Sequence, residues 1–337
     1  MSFLNNIGDC QFDYRDSFKY FCLKNCVRQL LSADIEDSFA YINCVPCIYV
    51  YFSGQIPEGY TVRYNKSPLQ DELEAFFVAV EPKWKCAEKN FECLRRTIDN
   101  QTPVIAAADG FYLPYKQHYK RYHGAHAIII YGYDDISKDI YIIDCYDKDN
   151  YKGTLSYDDF FVSWSSVNPS EANPFSGAPI NNVWSYMLNI DTAERTSEEL
   201  VKNSAVNAKN SFFGRRGGKC FVGLDGLMRL KELLAFKINA GININLERLH
   251  KNLYIYLREK ILFNDYLEYH HGYIKGVGFL LDALKDNLFC WNVFLTYILK
   301  LSVTGRGIAP DKFNALYKDI LYSERELYNR LADVVKY

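Results

Sequence analysis

His126 opens an apolar run that continues through Ile128, Ile130 and Tyr131 to Asp134, and Asp144 closes a second run through Ile140, Ile142 and Ile143. An imidazole beside a carboxylate is the base half of a catalytic triad, the carboxylate fixing the tautomer and orientation of the ring. The nucleophile would come from one of two cysteines far upstream, Cys22 or Cys26. A cysteine in the first turn of a helix has its thiolate stabilised by the helix dipole and by unpaired backbone N–H groups, and the same N–H groups can hold an oxyanion. Both needs favour Cys22. Cys26 lies one turn further on, is expected to face the core as a small apolar residue, and stays the alternative nucleophile. His123 is a rival base, placed in a loop ahead of Gly124. Each residue taken alone reads more simply as packing or turn material. Their combination in the order Cys, His, Asp points to covalent acyl chemistry.

For His126 and Asp144 to meet, the two runs must pair as an antiparallel hairpin turning through Asp134–Asp139, which puts the head of one strand and the tail of the other at the same end of a sheet. Asp134, Asp135 and Asp139 then read as turn and solvated charges. Phe18, Phe21, Cys22, Cys26, Val27, Leu30 and Leu31 recur near the 3.6 period and predict a helix over 18–31, with Asp16 or Ser17 as N-cap. A short helix is predicted over 34–43, strands over Tyr49–Phe52 and Tyr60–Tyr64, and amphipathic helices over Gln70–Val80 and Cys86–Asn100. Pro103–Ala107 reads as a strand, Gly153–Ser156 as an edge and Val183–Ile190 as a last strand. Asn168–Ile180 is a loop by composition. Residues 192–212 are polar and read as a domain boundary. Beyond Leu224 the pattern is helical: Leu227, Leu230, Leu233 and Leu234 mark one helix, followed by Leu246–Leu262, Tyr266–Leu284, Trp291–Leu301 and Asp311–Val334. The expected organisation is an α+β catalytic domain over 1–195 and an all-helical accessory domain over 210–337.

The chain has 337 residues, 49% of them hydrophobic and 24% charged, ample for a well-buried core in each of two domains. A formal charge of −2 lacks the basic footprint of a nucleic-acid protein. The N-terminus has no basic segment followed by an apolar one, and no apolar run is long enough to span a bilayer, so a cytoplasmic setting is expected, with no membrane partner. The ten cysteines are then expected to be reduced thiols. Cys44 and Cys47 form a CxxC, but zinc would need a second ligand pair, and no metal is expected. The stretch Gly214–Lys219 lacks the Ser or Thr after Lys219 and has Phe213 where a phosphate loop needs its first glycine, so no nucleotide site is expected there. His270 and His271 read as surface and groove residues of an amphipathic helix. Lys116, Lys120 and Arg121 interleave with Tyr115, Tyr119 and Tyr122, which suits either a solvated loop or a mouth that steers an acidic partner.

The segment Cys22–Leu31, the stretch Leu94–Asp109, Tyr112–Tyr115, the run His126–Asp134 and Asp144 together resemble the butirosin H type of acyltransferase, a branch of the papain-like, C39-peptidase-like cysteine proteins. Gly223–Leu234 resembles the opening of the helical domain that accompanies it. Ile42–Ile48 stands where the family has a glycine-rich loop, and a Gly/Thr-rich stretch is absent around Leu262–Gly272, so the family's substrate does not carry over. The resemblance implies a papain-like fold for the N-terminal domain, Cys22 as nucleophile, His126 as base and Asp144 as orienting acid. It also implies transfer of an acyl group from a carrier-protein thioester to a small-molecule amine in secondary metabolism of the nonribosomal peptide type. No cofactor is expected beyond the carrier's phosphopantetheine arm. Gln11 is the candidate side chain for the oxyanion. A carrier is acidic, and the compact positive clusters are Lys116, Lys120 and Arg121, and Arg215, Arg216 and Lys219, the candidate docking surface. The rival readings are a cysteine peptidase or thioesterase, which differ in what attacks the acyl-enzyme, and an inactive carrier-binding scaffold.

Overall fold

The computed structural model describes residues 2–3, 22–31, 49–51, 78–82, 87–146, 150–169, 180–181, 185–190, 197–210, 212–216, 220–273 and 276–336. In chain order its first elements are β1 (Ser2–Phe3), α1 (Cys22–Leu31), β2 (Tyr49–Tyr51), β3 (Val78–Pro82), α2 (Ala87–Asp99), β4 (Val104–Asp109), β5 (Ala125–Asp134), β6 (Asp139–Asp144) and β7 (Tyr151–Ser156). There follow α3 (Tyr157–Trp164), β8 (Val167–Asn168), β9 (Ile180–Asn181), β10 (Ser185–Ile190), α4 (Ser197–Asn210), β11 (Phe213–Arg216) and β12 (Cys220–Val222). The helices α5 (Gly223–Asn239), α6 (Leu246–His270), α7 (Val277–Thr304) and α8 (Pro310–Lys336) complete the chain. The class is α+β with a helical C-terminal region, as expected from the sequence. Two compact units are present, one of residues Met1–Ile42 with Phe77–Ala193 and one of Asn43–Phe76 with Glu194–Tyr337.

The first unit is built on an antiparallel sheet of order β3-β10-β4-β5-β6-β7, with β1 also pairing β5. β5 and β6 form the expected hairpin, closed by Asp134 opposite Asp139. The burial of β5 is continuous from His126 to Asp134, so both faces of this strand are covered. Ile128 and Ile130 pack with Leu94 and Ile98 of α2 and Phe160 and Trp164 of α3, while Ala127 and Ile129, on the alternate face, are equally buried. α1 packs against β5 as well. Two elements differ from expectation. Val78–Val80 belong to a strand paired with β10, not to a helix. The β-branched run ends at Pro82, which cannot sit inside a helix, and β10 supplies a ladder that the helical period did not anticipate. α3 was not expected at all, though its signal is in the chain: Ser156 caps it by accepting from the Asp159 N–H at 3.1 Å and donating to the Asp159 carboxylate at 2.8 Å, and Phe160 and Trp164 are one turn apart.

In the second unit β2 pairs with β12, which pairs with β11, and α5, α6, α7 and α8 share a core around Leu230, Leu253, Tyr256, Trp291, Phe294 and Tyr317. Part of the polar stretch 192–212, read as a domain boundary, is the helix α4: Val201 and Ala205 are fully buried on one side of it and Glu198 pairs with Lys202 on the other at 2.7 Å. The break in the long helical stretch falls near Gly276, whose φ of 91° suits only glycine comfortably, and not between Leu262 and Tyr266. No helix among the described residues is long and apolar enough to cross a membrane.

Candidate active site

The hairpin does the positioning. Ile129 lies opposite Ile143, so His126 at the head of β5 and Asp144 at the tail of β6 come to the same end of the sheet. There the His126 Nε2 and the Asp144 Oδ2 are 2.7 Å apart. The ring is thus held through Nε2, which turns its Nδ1 edge away from the carboxylate. Cys22 is the first residue of α1, half-buried, at the positive end of the helix dipole. It is near enough to His126 for its charge to raise the imidazole. Cys26 is fully buried one turn further on, and its charge is felt at Tyr115 instead. Neither cysteine is in a disulfide.

Asp144 is the node of this arrangement. It is completely buried, and its Oδ2 is approached by His126, by the Lys116 Nζ at 2.8 Å and by the Tyr115 hydroxyl at 3.0 Å. Its Oδ1 accepts from the Tyr146 N–H at 3.0 Å. Burial alone would raise this carboxyl, but the imidazolium and the ammonium hold it well below the usual carboxylate range. Burial alone would lower His126. Lys116 opposes the charge as well, but Asp144 and Cys22 together outweigh both, and the imidazole is pushed up to about 9. The pairing of a charged imidazole therefore stabilises the fold fully below its ordinary value near 6.5, and that contribution is lost as pH rises through 9. Burial and the neighbouring Asp144 push the Tyr115 phenol far above its ordinary value, so it remains a donor.

Lys116 corrects an expectation. It is 6% exposed, donates to the Tyr146 carbonyl at 2.8 Å as well as to Asp144, and is not a rim charge for a docking partner. Lys120 and Arg121 are exposed, and the Lys120 N–H is tied to the Phe111 carbonyl at 2.9 Å. Gln11 and Lys219 lie outside the described residues, as do Cys44, Cys47 and the side chains of Arg215 and Arg216. Among the described residues no group of three or more His, Cys, Asp or Glu could hold a metal ion.

His123 has a partner of its own. Its Nδ1 lies 2.7 Å from the Asp109 Oδ2, and its ring stacks on Phe111 at 4.1 Å. Asp109 is fully buried, accepts from the Phe111 and Gly124 N–H groups at 3.1 Å, and takes Ser166 and Asn168 at 2.7 and 2.8 Å. Burial opposes its charge, but His123 and Ser166 lead the donors that lower it overall. This carboxylate ties the beginning of the segment 110–124 to its end and so fixes the loop that delivers Tyr115 and Lys116. The sequence offered one signal for it, an aspartate at the end of a buried strand directly before Gly110. The Gly110 position itself lies under the His118 ring, where an added Cβ would come within 2.3 Å of Nε2.

Residues 39–145 match the family described as Butirosin biosynthesis protein H, N-terminal. The match covers about a third of the chain and takes in Leu94–Asp109, Tyr112–Tyr115, His126–Asp134 and Asp144, among the segments that resemble the butirosin H type. The match takes in Asp109, Tyr115, Lys116, His126 and Asp144 and begins after Cys22. No curated protein matches the chain.

Proposed function

We propose that this chain, which matches that family over residues 39–145, is a cysteine-dependent acyltransferase of secondary-metabolite biosynthesis that forms an amide from a carrier-protein thioester and an amine. The observation that carries the reading is the buried His126–Asp144 pair at 2.7 Å, set beside a helix that begins with a cysteine. In this reading His126 takes the Cys22 proton, and the thiolate attacks the thioester carbonyl. The tetrahedral oxyanion is held at the N-terminus of α1 and by the Gln11 side chain. Collapse expels the carrier's thiolate, which takes the proton back from the imidazolium and leaves as the thiol. The amine then attacks the acyl-Cys22 carbonyl, gives its surplus proton to His126 and releases the Cys22 thiolate. Amide formation must outrun hydrolysis, which requires a site closed to water. A reduced nucleophile fits a cytoplasmic setting.

The test is a burst experiment with an acyl thioester on a phosphopantetheinylated carrier protein. Intact-mass analysis without amine is expected to show one acyl group, mapped by digestion to Cys22. Adding an amine should discharge it as amide. Discharge as free acid at the same rate with and without amine would assign the chain to thioesterase or peptidase chemistry. A protein that binds the carrier and never takes up the acyl group would be a scaffold.

A further inference from the structure

We infer that Lys116 is a positioning residue of this site: it shares the Asp144 oxygen that holds His126, cancels the charge of that carboxylate, and leaves the imidazole able to give and take its proton. The inference rests on the acyltransferase reading for its purpose, though not for its geometry. Three donors converge on the one Asp144 Oδ2, from His126 at 2.7 Å, Lys116 at 2.8 Å and Tyr115 at 3.0 Å. A lysine placed only to pin the loop would be served by the Tyr146 carbonyl, which its Nζ also reaches at 2.8 Å. Its seat on the orienting carboxylate needs another account. A lone buried aspartate would hold imidazolium tightly, because Coulomb attraction is strong where water is excluded. Such a His126 would start the reaction well and finish it badly, since an already protonated ring cannot accept the proton of the attacking amine. An aspartate carrying a lysine is an orienting group of zero net charge. It retains the hydrogen bond that aims the ring and gives up much of the field that would lock it.

Among the described residues, His126 feels the charges of Asp144, Lys116 and Cys22, its ring lies 5.7 Å from that of Tyr146, and Tyr115 reaches it only through the shared Asp144 oxygen. Cys22 alkylated with iodoacetamide removes the thiolate and mimics the neutral acyl-thioester. In that state Lys116→Met leaves Asp144 unopposed.

The experiment follows the His126 ring by NMR in histidine-labelled full-length protein with Cys22 alkylated, assigned by loss of the signal in His126→Gln. Lys116→Met is expected to move the titration upward by about one pH unit, and Lys116→Arg to return it to the wild-type position. The same direction is expected in the pH dependence of amine discharge of the acyl-enzyme, with about tenfold slower discharge below the limb and recovery above it. An unmoved ring in a folded Lys116→Met protein overturns the inference. Should that variant not fold, Lys116→Gln keeps a donor to Asp144 and Tyr146 without the charge, and its ring titration decides in the same way. A wild-type protein that takes up no acyl group would defeat the acyltransferase reading alone, because the ring titration needs no turnover.

Discussion

Asp144 and Glu324 are both buried carboxylates held by a lysine and a tyrosine, and they keep different company. Glu324 on α8 receives the Trp291 Nε1 at 2.6 Å from α7 and the Tyr256 hydroxyl at 3.2 Å and the Lys260 Nζ from α6. Burial lowers Lys260, and Glu324 pulls it back. The cluster clamps three helices through an indole, a phenol and an ammonium, with no imidazole or thiol among those donors. Around Asp144 one of the donors is an imidazole, and beside it a half-buried thiol opens a helix. A buried lysine–carboxylate pair is thus no sign of chemistry in itself. The sign is a third member that is an imidazole, able to give and take a proton, with a nucleophile within electrostatic reach.

The comparison breaks most sharply at the nucleophile and base. Cys22→Ala and His126→Ala are each expected to reduce acyl transfer by several orders of magnitude, about equally, because members of such a unit do not act additively. Cys26→Ala should retain most activity and lose on the order of 1 kcal/mol of stability through its core site. Iodoacetamide mapping that labels Cys26 and spares Cys22 would reverse the assignment.

Glu324→Gln is the matching change in the other cluster. It leaves the Lys260 charge buried without its counter-ion, which costs about 3 kcal/mol or more and a Tm fall on the order of 10 °C. The rate of Cys22 alkylation should be unchanged at temperatures where the variant is folded. A variant of full thermal stability, measured by calorimetry, would mean that the helical cluster is not the clamp its geometry describes.

What could be read beforehand followed the range of the interactions. Alternating or continuous apolar runs with a polar turn gave the β5–β6 hairpin, and with it the meeting of His126 and Asp144, because pairing two neighbouring strands needs only local sequence. The helical period predicts α1 over Cys22–Leu31, while the earlier part of that prediction, from Phe18, and the N-cap at Asp16 or Ser17 lie outside the described residues. Lys116 was misread as a rim charge because nothing local distinguishes a lysine in a Tyr/Lys loop that faces solvent from one that the loop carries inward. That inward turn depends on Asp109, which holds the two ends of the loop through residues as distant as Ser166 and Asn168. The partner of His123, the rival base, was hidden for the same reason, since Asp109 ends a strand fourteen residues earlier. The split of α6 and α7 was misplaced because a long amphipathic period hides its break until a glycine with positive φ declares it.

The smallest effect is expected at the rim, where Lys120 and Arg121 remain solvent-facing after Lys116 has turned inward. Charges in water attract a partner at a distance and contribute little to the chemical step, since screening weakens them beyond about 10 Å at ordinary ionic strength. Lys120 adopts a φ of 54° and its Nζ lies over the Tyr119 ring at 5.0 Å, so the charge is displayed on an ordered turn. The double reversal Lys120→Glu with Arg121→Glu should slow acylation from an acidic carrier protein several-fold at low salt, with the difference from wild type shrinking as salt is added. Acylation from a small free thioester should be unchanged, because that donor has no charged surface to steer. Equal loss with both donors would place these side chains in the service of the fold or the site. No loss with either would move the carrier's footprint elsewhere on the molecule, and the Asp144 cluster would keep its reading in both cases because it touches neither residue.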